Sequence, residues 1–254
     1  MAFEFSTRIS VAESDVSSVK TSVRNECTRS CSELRRSSDC VCYPEFAARY
    51  WLRLGGFSPL HADLTSLNLS YTDPDHTLGV AKFMSSPQAA RTKGWSAVVV
   101  GPRGSGKTAL ITALAKSVMK WELVHSYSSS CTRAIYFTAR DYTSWMRKLE
   151  DFRRTVNEFD YHKGAVEGAV LVFDDITPEF ANNEKFNADL KFRIDRGLPT
   201  YLALSGEPVM YAGTQLADTI GLEIQPDGSY NGPYTKSWGI VHLRSRVLTQ
   251  AGWV

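Results

Sequence analysis

Ala97-Val98-Val99-Val100-Gly101-Pro102-Arg103-Gly104-Ser105-Gly106-Lys107-Thr108 is the stretch that decides the fold of this chain. The apolar run 97–100 suits a strand buried on both faces, as strands of parallel sheets are. Gly101 to Thr108 fits G-x-x-x-x-G-K-[ST]: a loop in which Gly101, Pro102, Arg103, Gly104, Ser105 and Gly106 let backbone N–H groups turn inward around a phosphate. Thr108 to Trp121 carries Leu110, Ile111, Leu114, Val118 and Trp121 at helical spacing, so a helix N-terminus adds its positive end to the same spot. Lys107 is placed to reach the β- and γ-phosphates of a nucleotide, and the Thr108 hydroxyl to hold Mg²⁺.

Working outward, Val170-Leu171-Val172-Phe173-Asp174-Asp175 is an apolar strand that ends in two carboxylates. In a sheet built around a phosphate loop that edge faces the cation, so Asp174 is the candidate for the water shell of Mg²⁺. Asp175 is the candidate to orient or deprotonate the attacking water. A third apolar run, Thr200 to Leu204, ends at Ser205, a candidate for sensing the γ-phosphate or capping a loop. Ala134-Ile135-Tyr136-Phe137-Thr138 reads as a further strand. A helix is expected from an Asp141 N-cap to about Val156, and another over 183–195. Strands alternating with helices predict a parallel sheet flanked by helices, the α/β fold of a P-loop NTPase.

The rest of the chain bounds this reading. At 254 residues, 43% hydrophobic and 22% charged, with a net charge of +2, the composition excludes a disordered, collagen-like or coiled-coil chain. No apolar run approaches the ~20 residues that span a bilayer, and no secretory signal opens the chain, so a cytoplasmic protein without a membrane partner is expected. Residues 1–26 read as a poorly ordered or weakly helical arm. Pro44 to Leu54 reads as a helix stopped by Gly55-Gly56, with Phe46, Tyr50 and Leu54 on one face. Residues 57–94, with Ser58-Pro59 and Asp73-Pro74-Asp75, read as a connector.

Taken together these pieces resemble the AAA+ ATPases of the DnaC/DnaI helicase-loader type and the related IstB-type transposition helpers. The likeness is carried, in order, by Cys40-x-Cys42, then Gly55-Gly56-Phe57-Ser58-Pro59-Leu60, and the phosphate loop. It continues through Ala134 to Tyr142, Val172-Phe173-Asp174-Asp175-Ile176, and Leu198-Pro199-Thr200 with the strand to Ser205. The resemblance implies an AAA+ ATPase that binds ATP with Mg²⁺ between adjacent subunits and assembles as a homo-oligomer on DNA. Its implied task is to load or remodel a partner, a replicative helicase or a transposase. It divides the chain into an N-terminal arm, 1–56, for partner or DNA contact, and an ATPase domain, 57–254.

Two departures matter. Ser205-Gly206 stands where the family has Asn, and no Arg occurs in 206–235. An arginine acting on a neighbour's phosphate must therefore come from Arg193, Arg196, Arg244 or Arg246, each of which could equally be a surface charge. Both departures keep open an ATP-binding switch or adaptor with little hydrolysis, and a P-loop small-molecule kinase is a further alternative. Cys27, Cys31, Cys40 and Cys42, four of the five cysteines, form a cluster that could hold Zn²⁺ or remain reduced thiols. Arg29, Arg35, Arg36, Arg49 and Arg53 could touch DNA phosphates or form a solvated face. Arg147, Lys148, Arg153 and Arg154 offer a second face of the same kind.

Overall fold

Alternate residues of the central strands go to opposite faces of the sheet, and both faces are apolar. Val98, Val100, Leu171, Phe173, Leu202 and Leu204 enter one core; Ala97, Val99, Val170, Val172, Tyr201 and Ala203 enter the other. The computed structural model describes residues 43–64, 67, 74–125, 133–144, 169–227, 229–231, 238–242, 248–249 and 252–253. Its sheet contains β1 (Ser96–Gly101), β2 (Arg133–Thr138), β3 (Ala169–Ile176), β4 (Thr200–Ser205) and β5 (Trp238–His242), all parallel, in the order β2-β3-β4-β1-β5. The predicted parallel sheet is therefore observed. β5, which the sequence pattern did not reveal, closes it beside β1.

One face is covered by helices α1 (Tyr43–Leu54), α2 (Pro59–Ala62), α3 (Pro74–Ser85), α4 (Pro87–Lys93) and the long α5 (Lys107–His125). The α1 helix falls where it was expected, but its buried stripe is Ala47, Ala48, Trp51 and Leu52, with Phe46 and Tyr50 only partly covered. It shares that core with α5, so the helix assigned to the N-terminal arm packs directly on the sheet domain. The connector reading of 57–94 is corrected. Ser58-Pro59 and Ser86-Pro87 begin helices, because proline at the first helical position gives up an N–H that no helix would use.

The other face carries α6 (Glu184–Asp195) and the short α7 (Gln215–Ile220). The chain is also helical over 139–144, starting three residues before the expected first turn. Thr138, not Asp141, caps it: Thr138 Oγ1 accepts from the Asp141 N–H (3.1 Å) and donates to Asp141 Oδ2 (2.7 Å). The rest of that predicted helix, with Arg147, Lys148, Arg153 and Arg154, lies outside the described residues. So do residues 1–42, with all four clustered cysteines and Arg29, Arg35 and Arg36, and so do Arg244 and Arg246. No helix among the described residues is long and apolar enough to cross a membrane.

Candidate functional site

The C-terminal ends of β1, β3 and β4 bring the predicted residues to one edge of the sheet, where ligands of open α/β sheets bind. The loop between β1 and α5 turns through Gly104 (φ +80°) and Gly106 (φ +93°), left-handed conformations that a side chain rarely adopts. For Gly104 the requirement is the dihedral and not the space, since a Cβ there would meet nothing within 4 Å. Ser105 is buried and its Oγ has no partner, a costly state that a phosphate oxygen would relieve. The Lys107 ammonium, buried at the start of α5, donates to the carbonyls of Gly101 and Pro102 at 2.9 Å each. Burial pushes its pKa down, while the Asp174 and Asp175 carboxylates push it back up. The Gly101 carbonyl also accepts from the Gly206 N–H (3.0 Å), so the loop and the end of β4 are tied through one oxygen.

Thr108, in the first turn of α5, donates its hydroxyl to Asp174 Oδ2 at 2.5 Å. A phosphate loop that follows β1, opens α5 and is bonded through its threonine to the acidic end of β3, the parallel strand beyond β4, settles the architecture. This is a P-loop α/β fold. Thr108 and Asp174 offer a hydroxyl and one carboxylate, the sparse oxygen set that Mg²⁺ takes when phosphates supply other ligands. The donors present thus fit the ion, which Thr108 and Asp174 would hold.

Asp175 is the one described non-glycine residue with positive φ (+55°), and it is exposed at a register shift between β3 and β4. Its N–H donates to Asp174 Oδ1 (2.7 Å), and its own Oδ1 accepts from the Ser205 hydroxyl (2.9 Å). Backbone in this region costs about 1–3 kcal/mol and persists where the surroundings hold it. Here the hold comes from Ser205 and from buried Tyr211, whose hydroxyl lies 2.6 Å from the Ile176 carbonyl and 3.0 Å from that of Ser205. The result aims a carboxylate outward from the sheet edge beside the phosphate loop.

Two residues at or near this edge carry no motif. Tyr211 is one. The other is Tyr136 on β2, whose hydroxyl donates to Asp174 Oδ2 at 2.7 Å. Burial and the Asp174 carboxylate push its phenol well above the usual range, so it stays a donor. Tyr136 pairs with Val172, one pleat short of Asp174. A diagonal cross-strand neighbour is the only sequence signal that could have found it.

The arginines separate. Arg193 is fully buried: Nε donates to Thr200 Oγ1 (2.8 Å) and Nη2 to the Pro199 carbonyl (2.6 Å). Burial, reinforced by the charge of Arg91, pushes its pKa down to about 9, which still leaves it a cation at neutral pH. Enclosed at the N-terminal end of β4, Arg193 cannot reach a neighbouring subunit, and it leaves the set of candidate arginines. Arg196 is exposed beyond the end of α6, with its guanidinium 4.1 Å from the Phe192 ring centroid. Arg49 and Arg53 are ion-paired within the chain, to Glu45 (3.0 Å) and Asp63 (2.5 Å).

No protein-family profile and no curated protein sequence matches the chain. Solved structures are similar to it. The DnaC helicase loader aligns with a TM-score of 0.49 and 15% identity over 71% of this chain and 93% of that one. DnaI aligns with a TM-score of 0.41 and 20% identity over 61% and 77%. AMPPCP-bound DnaA from Aquifex aeolicus gives 0.44 and 19% over 61% and 49%. At these identities the likeness concerns the fold alone.

Proposed function

We propose that the chain is an AAA+ ATPase of the DnaC/DnaI loader and IstB helper type, one that binds Mg²⁺–ATP at this edge and hydrolyses it. The observation that carries the reading is the Thr108–Asp174 bond with Asp175 projecting beside it, a cation-holding pair next to an exposed base. Lys107 and the loop N–H groups would take the β- and γ-phosphates. Bound Mg²⁺ would neutralise developing phosphate charge. Ser205 holds Asp175 where it can orient a water and accept its proton.

On this reading subunits assemble on DNA and remodel a partner, a helicase or a transposase, with Arg196, Arg244 or Arg246 as the arginine offered to a neighbour. The arm 1–56 would dock the partner or DNA, with Zn²⁺ held by Cys27, Cys31, Cys40 and Cys42. Burial of Arg193 and the lack of arginine in 206–235 favour a second reading, an ATP switch with little turnover.

The test is equilibrium binding of a fluorescent ATP analogue, together with phosphate release with and without single-stranded DNA. Wild type should bind with Mg²⁺, and Lys107→Ala should lose about 100-fold or more in affinity. Equal binding by both proteins would remove the reading at its base. Tight binding with phosphate release at background, alone and with DNA, would select the switch. ADP formation that needs an added small-molecule acceptor, with the γ-phosphoryl group carried to that acceptor and no inorganic phosphate released, would select a kinase.

A further inference from the structure

Tyr136 lies at the meeting point of two elements that no motif connects. Its side chain sits on the α1/α5 face of the sheet, on edge strand β2, and reaches across to the carboxylate that Thr108 also contacts. Its backbone N–H points away from the sheet and donates to the Gly55 carbonyl at 2.9 Å. Gly55 comes that close because it has no side chain: a Cβ there would lie 1.9 Å from the Ala134 carbonyl oxygen. Buried Phe57 then packs its ring on that of Tyr136, centroids 5.1 Å apart. The turn after α1 thus holds the tyrosine by both its backbone and its ring, and the tyrosine holds Asp174.

We propose that Tyr136 is a positioning residue for the cation-holding carboxylate Asp174, and that the Gly55–Phe57 turn sets its placement, linking the end of α1 to the Mg²⁺ site. This rests on the reading of Thr108 and Asp174 as the holders of Mg²⁺. Asp174 Oδ2 receives two hydroxyl protons, from Thr108 and from Tyr136, while Oδ1 receives the Asp175 N–H. When Thr108 turns its oxygen to a cation, the phenol is the fixed reference that keeps the carboxylate from rotating. A shift of the turn would move the phenol and with it the carboxylate, so displacement of α1 would be felt as a change in cation affinity.

The experiment uses the full chain and a fluorescent ATP analogue, titrated with Mg²⁺ and separately bound in EDTA. Loss of a partner that orients a metal-holding group costs about 10–100-fold in metal affinity, and Tyr136→Phe should raise half-saturating Mg²⁺ by about tenfold. Binding in EDTA should stay within about twofold, which also reports that the variant is folded. Phe57→Leu should move the Mg²⁺ requirement in the same direction by a smaller factor, and should add nothing in the Tyr136→Phe background. A Tyr136→Phe protein with an unchanged or lower Mg²⁺ requirement overturns the positioning role and leaves the nucleotide reading standing. A Phe57→Leu effect that persists undiminished in the double variant overturns the link to the turn. A wild type whose nucleotide binding ignores Mg²⁺ takes down this inference together with the reading it rests on.

Discussion

β1 and β4 run side by side in parallel, and the polar groups at their two ends have opposite fates. At the N-terminal ends Ser96 Oγ accepts from the Thr200 N–H (3.0 Å) and donates to the Gly94 carbonyl (3.0 Å), while Arg193 grips Thr200 and Pro199. Ser96, Thr200 and Arg193 are between 0% and 2% exposed, so this end has no room for a ligand. At the C-terminal ends Ser205 and Asp175 remain accessible, the loop backbone is left-handed, and Ser105 is buried without a partner. Both ends contain a cation and hydroxyls, so composition does not separate them. What separates them is access: Ser96, Thr200 and Arg193 are buried, whereas Ser205 and Asp175 can be reached from solvent. A cation enclosed by main-chain and hydroxyl acceptors is a strut; a cation and carboxylates at the open edge can exchange partners with a substrate.

The sharpest way to break this comparison is Asp175→Asn. If the open end is chemical, phosphate release should fall by at least about 100-fold, the scale of a lost general base. Nucleotide affinity should change little, because Asp175 bonds to Ser205 and faces solvent, whereas Thr108 contacts Asp174. Turnover that survives the substitution would leave the exposed carboxylate without a catalytic role.

The closed end is tested by Arg193→Ala. It strands the Thr200 and Pro199 acceptors and opens a cavity, so a loss of about 3–5 kcal/mol is expected. For a domain of this size that lowers the melting temperature by roughly 6–20 °C. Turnover per folded molecule should be preserved below the transition. An unchanged melting curve with turnover lost on assembly would return Arg193 to the acting arginines.

How far the sequence carried the reading differs from element to element, and for physical reasons. The central strands were legible because a strand buried on both faces needs an unbroken apolar run, and 97–100, 170–173 and 201–204 have one. The phosphate loop and Asp174-Asp175 were legible because the site is built mostly from contiguous residues at strand ends. The helix starts at Pro59 and Pro87 were not, since Ser-Pro serves a turn and a helix N-terminus alike. Arg193 could have been read correctly. Phe186, Leu190 and Arg193 fall at i, i+4 and i+7 on α6, the spacing of a buried stripe, and all three are buried. Tyr136 gave only the weak signal of a diagonal cross-strand neighbour, because a tyrosine in a strand is an ordinary β-former and its partner Asp174 is on another strand.

Between the two ends in exposure lies the ion cluster under α1, and it predicts the smallest effect. Glu45 takes Lys116 (2.6 Å) and Arg49 (3.0 Å) on one oxygen and Lys120 (2.8 Å) on the other. Burial pushes its carboxyl up, but hydrogen bonds and charge from Lys116 and Lys120 outweigh this and bring it from 4.5 down to about 2. A carboxylate lowered by folding adds stability that is fully present above pH 4.5 and drains away as the pH falls towards 2. The side chain is 26% exposed, so solvent screening reduces the benefit at neutral pH to about 1–2 kcal/mol. Glu45→Gln should therefore melt below wild type by roughly 2–8 °C at pH 7. The gap should hold as the pH is lowered to about 4.5 and narrow below it, because protonation then removes from wild type the charge that the variant already lacks. A gap that widened on acidification would mean that the cluster's carboxylate is not what anchors α1 to α5.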